Sequence, residues 1–100
     1  MFIHQVAFWL KPGTSDADRD QLIADCRRLL GGIPTVKQLW AGPPAMTPRD
    51  VVDNSFHVGL CVVLEDEAAH HIYQVHELHT QFIERNKANW ERVQVRDVLG

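Results

Sequence analysis

The chain has 100 residues, enough for one domain, of which 45% are hydrophobic and 23% charged, with a formal net charge of -3. Acidic and basic residues are interspersed, so no basic stripe exists to neutralise phosphates, and nucleic acid is excluded as an expected partner. No apolar run nears the roughly 20 residues of a membrane span and Met1–Gln5 lacks the charged-then-apolar pattern of a leader, so the expected setting is cytoplasmic, with no membrane partner.

Phe2 to Leu10 is predicted to be a strand rich in aromatic and β-branched residues, with Phe2, His4, Val6, Phe8 and Leu10 on one face and Ile3, Gln5, Ala7 and Trp9 on the other. Both faces are largely apolar. Lys11-Pro12-Gly13-Thr14 turns the chain. Ser15 then serves as N-cap to a helix with Asp16 and Asp18 at its start, Leu22, Ile23, Cys26, Leu29 and Leu30 at helical spacing, Arg27 and Arg28 near its end, and Gly31-Gly32 with Pro34 as its exit. Val36 to Ala41 is expected as a short second strand, Ala45 to Asn54 as a long polar loop, and Ser55 to Leu64 as a third strand. From Glu65 to about Trp90 neither Gly nor Pro interrupts the chain. Ala69, Ile72, Tyr73, His76, His79, Phe82, Ile83 and Trp90 mark an apolar and aromatic stripe along it, while the adjacent His70 and His71 are expected to face solvent. Arg92 to Leu99 closes as a fourth strand with Val93, Val95 and Asp97 on one face. Cys26 and Cys61, far apart and each within an apolar pattern, read as buried free thiols.

The order β-α-β-β-α-β predicts an α+β, ferredoxin-like fold: one antiparallel four-stranded sheet with its helices on one face. Helices cover only that face. Phe56, Val58, Leu60 and Val62 are expected to lie on the uncovered side, where wet apolar side chains would each forgo about 1.5 to 3 kcal/mol, so a second copy related by a two-fold axis is the expected cover.

The residues Ile3-His4-Gln5-Val6-Ala7-Phe8-Trp9-Leu10-Lys11, Gly32-Ile33-Pro34, Phe56-His57-Val58-Gly59-Leu60, Leu64-Glu65-Asp66, Tyr73 through His79, and Trp90 with Val95-Arg96-Asp97 resemble the stress-responsive dimeric α/β-barrel, or Dabb, family. The resemblance spans nearly the whole chain and implies a homodimer whose two ferredoxin-like subunits pair their sheets into one barrel. It departs at Glu77, where the family often has proline, leaving open whether the helical segment kinks at residues 75 to 78 or runs straight. Enzymatic relatives include plant polyketide cyclases such as olivetolic acid cyclase, which close a poly-β-keto thioester without metal or cofactor. That likeness puts the catalytic histidine on His79, its tyrosine partner on Tyr73, and pocket histidines on His4 and His57. It further implies a small-molecule pocket between sheet and helices, walled by Val6, Phe8, Gly59 and Asp97, by Leu22, Ile23 and Cys26 of the first helix, and by Trp90, Val93 and Val95.

A histidine that removes an acidic α-proton and a tyrosine that donates to the developing alkoxide suit cyclase-like or lyase-like chemistry on an enolisable or aromatic compound. The same rings also fit a second class, a non-catalytic dimer that binds a small molecule, with His4 and His57 hydrogen-bonded to Tyr73 or Asp97 and helping to pack a small core. A cofactor-free monooxygenase is a third. A zinc site built on His70, His71, His76 and His79 lacks a recognised set of converging ligands, so no metal or other cofactor is expected. Trp9 and Trp40 are expected at a subunit interface and Trp90 in the core.

Overall fold

A computed structural model describes all 100 residues. Strand β1 spans Phe2–Leu10, helix α1 Asp16–Arg28, β2 Val36–Gly42, β3 Val58–Leu64, α2 Glu67–Val75, α3 Glu77–Asn86 and β4 Trp90–Leu99, with single 3-10 turns at Leu30–Gly32 and Lys87–Asn89. The strands form one antiparallel sheet in the order β2-β3-β1-β4. The fold is the expected ferredoxin-like α+β arrangement.

Register decides which face carries the core. Val58, Leu60, Val62 and Leu64 stand opposite Phe8, Val6, His4 and Phe2, and all eight are buried. Leu22, Cys26, Leu29, Leu30, Ile33, Tyr73 and Phe82 pack onto that face from the helices and the turns that follow them. The expectation for Val58, Leu60 and Val62 is therefore corrected: they lie beneath the helices, not on the open side. The open face instead shows Ile3, Ala7 and Trp9 of β1, Cys61 and Val63 of β3 and an exposed Trp40 of β2. Cys61 is thus only half buried, unlike Cys26. An apolar alternation fixes that a strand has two apolar faces, but not which of them the helices choose.

Helix α1 starts as its sequence requires, with the Ser15 hydroxyl accepting from the Asp18 N–H at 3.1 Å. Gly13 supplies the positive φ of 86° in the preceding turn. β3 is three residues shorter than expected. The Ser55 N–H and hydroxyl both donate to Asp53 Oδ1, which holds the chain out of the ladder, and the Phe56 ring lies over Gly59 so closely that a Cβ there would meet it at 3.2 Å.

The long helical segment is two helices. His76 adopts ψ 145°, and its Nδ1 accepts from the Leu78 N–H as the N-cap of α3. No proline is needed for this break. Asp66 caps α2 by accepting from the Ala69 N–H at 2.9 Å. The buried face of α2 carries His70 and Tyr73, so Ile72 is exposed and His70 buried, reversing both expectations. The turn at Lys87–Asn89 ends the helical region early, and β4 begins at Trp90 rather than Arg92.

Candidate functional site

Three strands and both later helices converge on a cavity of about 200 Å³ between the sheet and α3. The sheet contributes His4, Val6, Phe8, Leu60, Trp90, Val93 and Val95, while Leu30, Tyr73, His79, Phe82 and Ile83 close it from the other side. Val6 and Phe8 are paired with Val95 and Val93 across the β1–β4 ladder, which is why these four side chains share one face.

The polar groups gather at one end. The break at His76 places Tyr73 and His79 on different helices, so the three-residue spacing does not put Tyr73, His76 and His79 on one face. The rings of Tyr73 and His79 nevertheless meet edge to face, with centroids 5.0 Å apart, and Tyr73 meets His4 similarly at 5.6 Å. His4 and Asp97 are register partners on adjacent strands, and His4 Nδ1 lies 2.6 Å from Asp97 Oδ1. The carboxylate therefore fixes the His4 ring and leaves its Nε2 available to another partner. Asp97 itself stands 37% exposed, at the edge of the group.

Burial sets the charge states. Tyr73 is 1% exposed, and burial, with a smaller contribution from Cys26, pushes its phenol up and keeps it protonated. Burial pushes His79 down, and the neighbouring His4 and His70 push it further, so the neutral base form persists below the usual histidine range. His70 is lowered in the same way, by burial first and then by His4, against the weaker opposing effects of Asp97 and Glu67. Cys26 is pushed up to about 12 by burial and by Asp25, and remains an unreactive thiol.

Several residues expected in the pocket lie elsewhere. His57 sits at the end of β1, where its N–H donates to the Phe8 carbonyl and its Nδ1 accepts from the Leu10 N–H. It faces a separate outer cleft with Lys11, Thr14, Arg19 and Glu91. Its ring caps a strand end where the β1 ladder is irregular. Gly59 points to the open face beneath Phe56. Leu22 and Cys26 are core residues, and Ile23 packs against that core, none of them reaching the cavity. α3 contributes Phe82 and Ile83 where the first helix was expected.

His70 is the residue that sequence reading missed. It stacks on Phe2 at 4.2 Å, tilts against His4 at 4.8 Å and leaves a buried Nε2 without a partner. Its position three residues before Tyr73 was the available signal, since that spacing shares a helix face. The Trp90 Nε1 is likewise buried and unpartnered at the cavity. Such groups cost about 1 to 3 kcal/mol each unless something supplies the missing bond.

A larger cavity of about 410 Å³ lies on the other side of the sheet, against Gln5, Trp9, Val51, Asp53, Phe56 and Arg96. It contains no histidine or tyrosine and sits on the face a second sheet would cover.

A family model described as the stress responsive A/B barrel domain, Dabb, matches residues 2–99. Among solved structures, a Dabb family protein with a ferredoxin-like fold from Mesorhizobium loti is 23% identical, with a TM-score of 0.80, over 99% of this chain and 95% of that one. A dimeric ferredoxin-like protein from Thermobifida fusca aligns at 15% identity and a TM-score of 0.83, over 99% and 90% of the two chains. The hydroxynitrile lyase of Passiflora edulis aligns at 19% identity and a TM-score of 0.80, over 97% and 90%. These likenesses concern the fold. No curated protein matches the chain.

Proposed function

The chain belongs to the stress-responsive A/B barrel, or Dabb, family, and from that premise we propose that it is a two-fold homodimer whose subunits each hold a small carbonyl compound and move a proton on it. The observation that carries the reading is the convergence of His4, Tyr73 and His79 on one end of an otherwise apolar cavity. His79 is the base, because its surroundings hold it neutral. Tyr73 is the hydrogen-bond donor to the oxygen where negative charge develops, because burial holds it protonated. His4, whose Nδ1 is held by Asp97, offers its Nε2 as an acceptor to a hydroxyl or amide of the compound at the same end of the cavity.

Size and polarity restrict the compound. An apolar protein cavity of about 150 Å³ takes benzene, so about 200 Å³ suits a single ring or a short chain of similar bulk. A histidine and a tyrosine contribute roughly 10² to 10⁴ in rate. That suffices for an already acidic proton, as between two carbonyls or on the hydroxyl of a cyanohydrin-like adduct, but not for an unactivated carbon. The reaction class is therefore cyclase-like or lyase-like. A relative fold carrying a hydroxynitrile lyase is in keeping with this.

The test is turnover of a panel of small β-diketones and aromatic hydroxynitriles by the wild-type dimer, His79→Ala and Tyr73→Phe. The expected result is turnover that falls by about 10² or more in His79→Ala and somewhat less in Tyr73→Phe, with melting temperatures near wild type. Saturable binding without turnover, together with a sharply lowered melting temperature in His79→Ala, would instead identify a binding protein.

A further inference from the structure

We propose that His4, His70 and Asp97 form a binding site for a divalent transition metal ion of the zinc or ferrous type, which borders the cavity through His4. The ligand atoms these three residues offer all lie within 4.8 Å of one another. Two imidazoles and one carboxylate are the donors such ions prefer, whereas magnesium and calcium favour oxygen ligands throughout.

The independent observation is His70. It is 7% exposed, stacked on Phe2, and its buried Nε2 has no hydrogen-bond partner. A buried imidazole nitrogen that makes no hydrogen bond is what an ion would use, and no existing bond has to be broken to recruit it. The other two groups are placed to join it. His4 and Asp97 are fixed side by side by the β1–β4 register, and Asp97 is partly exposed, which gives an ion an entry route and the carboxylate freedom to swing.

Metal–ligand bonds of about 2.0 to 2.2 Å put two donors on one tetrahedral ion about 3.3 to 3.6 Å apart. The widest separation in the group, within 4.8 Å, must therefore close by about 1.5 Å at most, and the 2.6 Å His4–Asp97 contact must open by about 0.7 to 1.0 Å, which a turn of the part-exposed carboxylate supplies. Three protein ligands leave a coordination position vacant, and because His4 lines the cavity the ion would polarise a carbonyl oxygen held there. The site shares His4 and Asp97 with the proton-transfer reading but leaves Tyr73 and His79 free, so metal affinity is measured independently of turnover.

The experiment uses the full-length protein, stripped with a chelator and titrated with Zn²⁺ against a chromophoric competitor and with Co²⁺ by visible absorption. The expected result is one ion per chain, with His70→Ala and Asp97→Asn each weakening affinity at least tenfold and removing the Co²⁺ spectrum, while His71→Ala, at an exposed histidine, leaves both unchanged. His70→Gln, which retains most of the ring's volume, replaces His70→Ala if circular dichroism shows the alanine variant unfolded. Wild-type affinity retained in the His70 and Asp97 variants, or equal loss in His71→Ala, would assign the ion to surface histidines and overturn the site. Absence of stoichiometric binding to the wild type would overturn it outright.

Discussion

His70 and His79 are neutral in the folded protein because burial penalises their charged forms and their histidine neighbours add to the penalty. Unfolding returns both to a value near 6.5, so between the folded and unfolded values the unfolded chain binds more protons. Stability is therefore fully present above about pH 6.5, falls as the pH drops through that value, and levels off once the native rings protonate as well. Thermal unfolding followed from pH 8 to 5 should show this fall, and a His70→Gln, His79→Gln double variant should flatten it. A flat wild-type profile would contradict the assigned charge states. Asp25 presents the opposite case, a charge retained inside. Burial alone would raise its pKa, but hydrogen bonds from Arg85, Asn86 and Arg28 outweigh that and lower it. The contact ties α1 to α3, with Arg85 Nε at 2.8 Å and Asn86 Nδ2 at 3.0 Å. Asp25→Ala should cost about 1 to 3 kcal/mol in denaturant unfolding, whereas Arg28→Ala, at an exposed end of the same network, should cost under about 1 kcal/mol.

The break between α2 and α3 is the element on which the cavity depends, because it brings His79 back over Tyr73. It arises from His76, whose extended backbone and capping ring replace the turn a continuous helix would have made there. Glu77 is thus the first residue of α3, a position where proline is favoured because the amide is not needed by the helix. His76 at φ -67° and ψ 145° already has the backbone a residue before proline prefers. Glu77→Pro should therefore be neutral or stabilise by up to about 1 kcal/mol, read as an unchanged or raised denaturation midpoint. A loss of several kcal/mol would show that the segment needs a straighter path than the one described.

At the scale of the whole molecule, the sheet has one face under the helices and one that shows Ile3, Ala7, Trp9, Trp40 and Val63. A second sheet is the cover proposed for them, and the Thermobifida fusca protein of the same fold is described as dimeric. Cys61→Arg or Trp40→Glu should convert a dimer into a folded monomer in sedimentation velocity, because each places a charge on that face alone. Leu60→Glu should behave differently. Leu60 is 5% exposed beneath the helices, so a carboxylate there should unfold the subunit and say nothing about assembly. A wild-type protein that sediments as a compact monomer at micromolar concentration would refute the pairing.

Local signals determined the element order, the α1 cap at Ser15 and the sheet type, since side-chain period, caps and turn residues act within a few residues. The resemblance to the family, rather than any local signal, named Trp90, Val93 and Val95 as pocket walls beside His4, Tyr73 and His79, and the fold gathers these six in one cavity. Tertiary structure decided the rest. Val58, Leu60 and Val62 went under the helices because a strand apolar on both faces carries no local preference between them. His57 became a strand-end cap because a β1 amide near it lacked a ladder partner. His70 went inward because His4 and Phe2, more than sixty residues away in the chain, form the surface it packs on. No periodicity records such a distant partner. The electrostatics of the site likewise follow from burial, which exists only once the chain has closed around it.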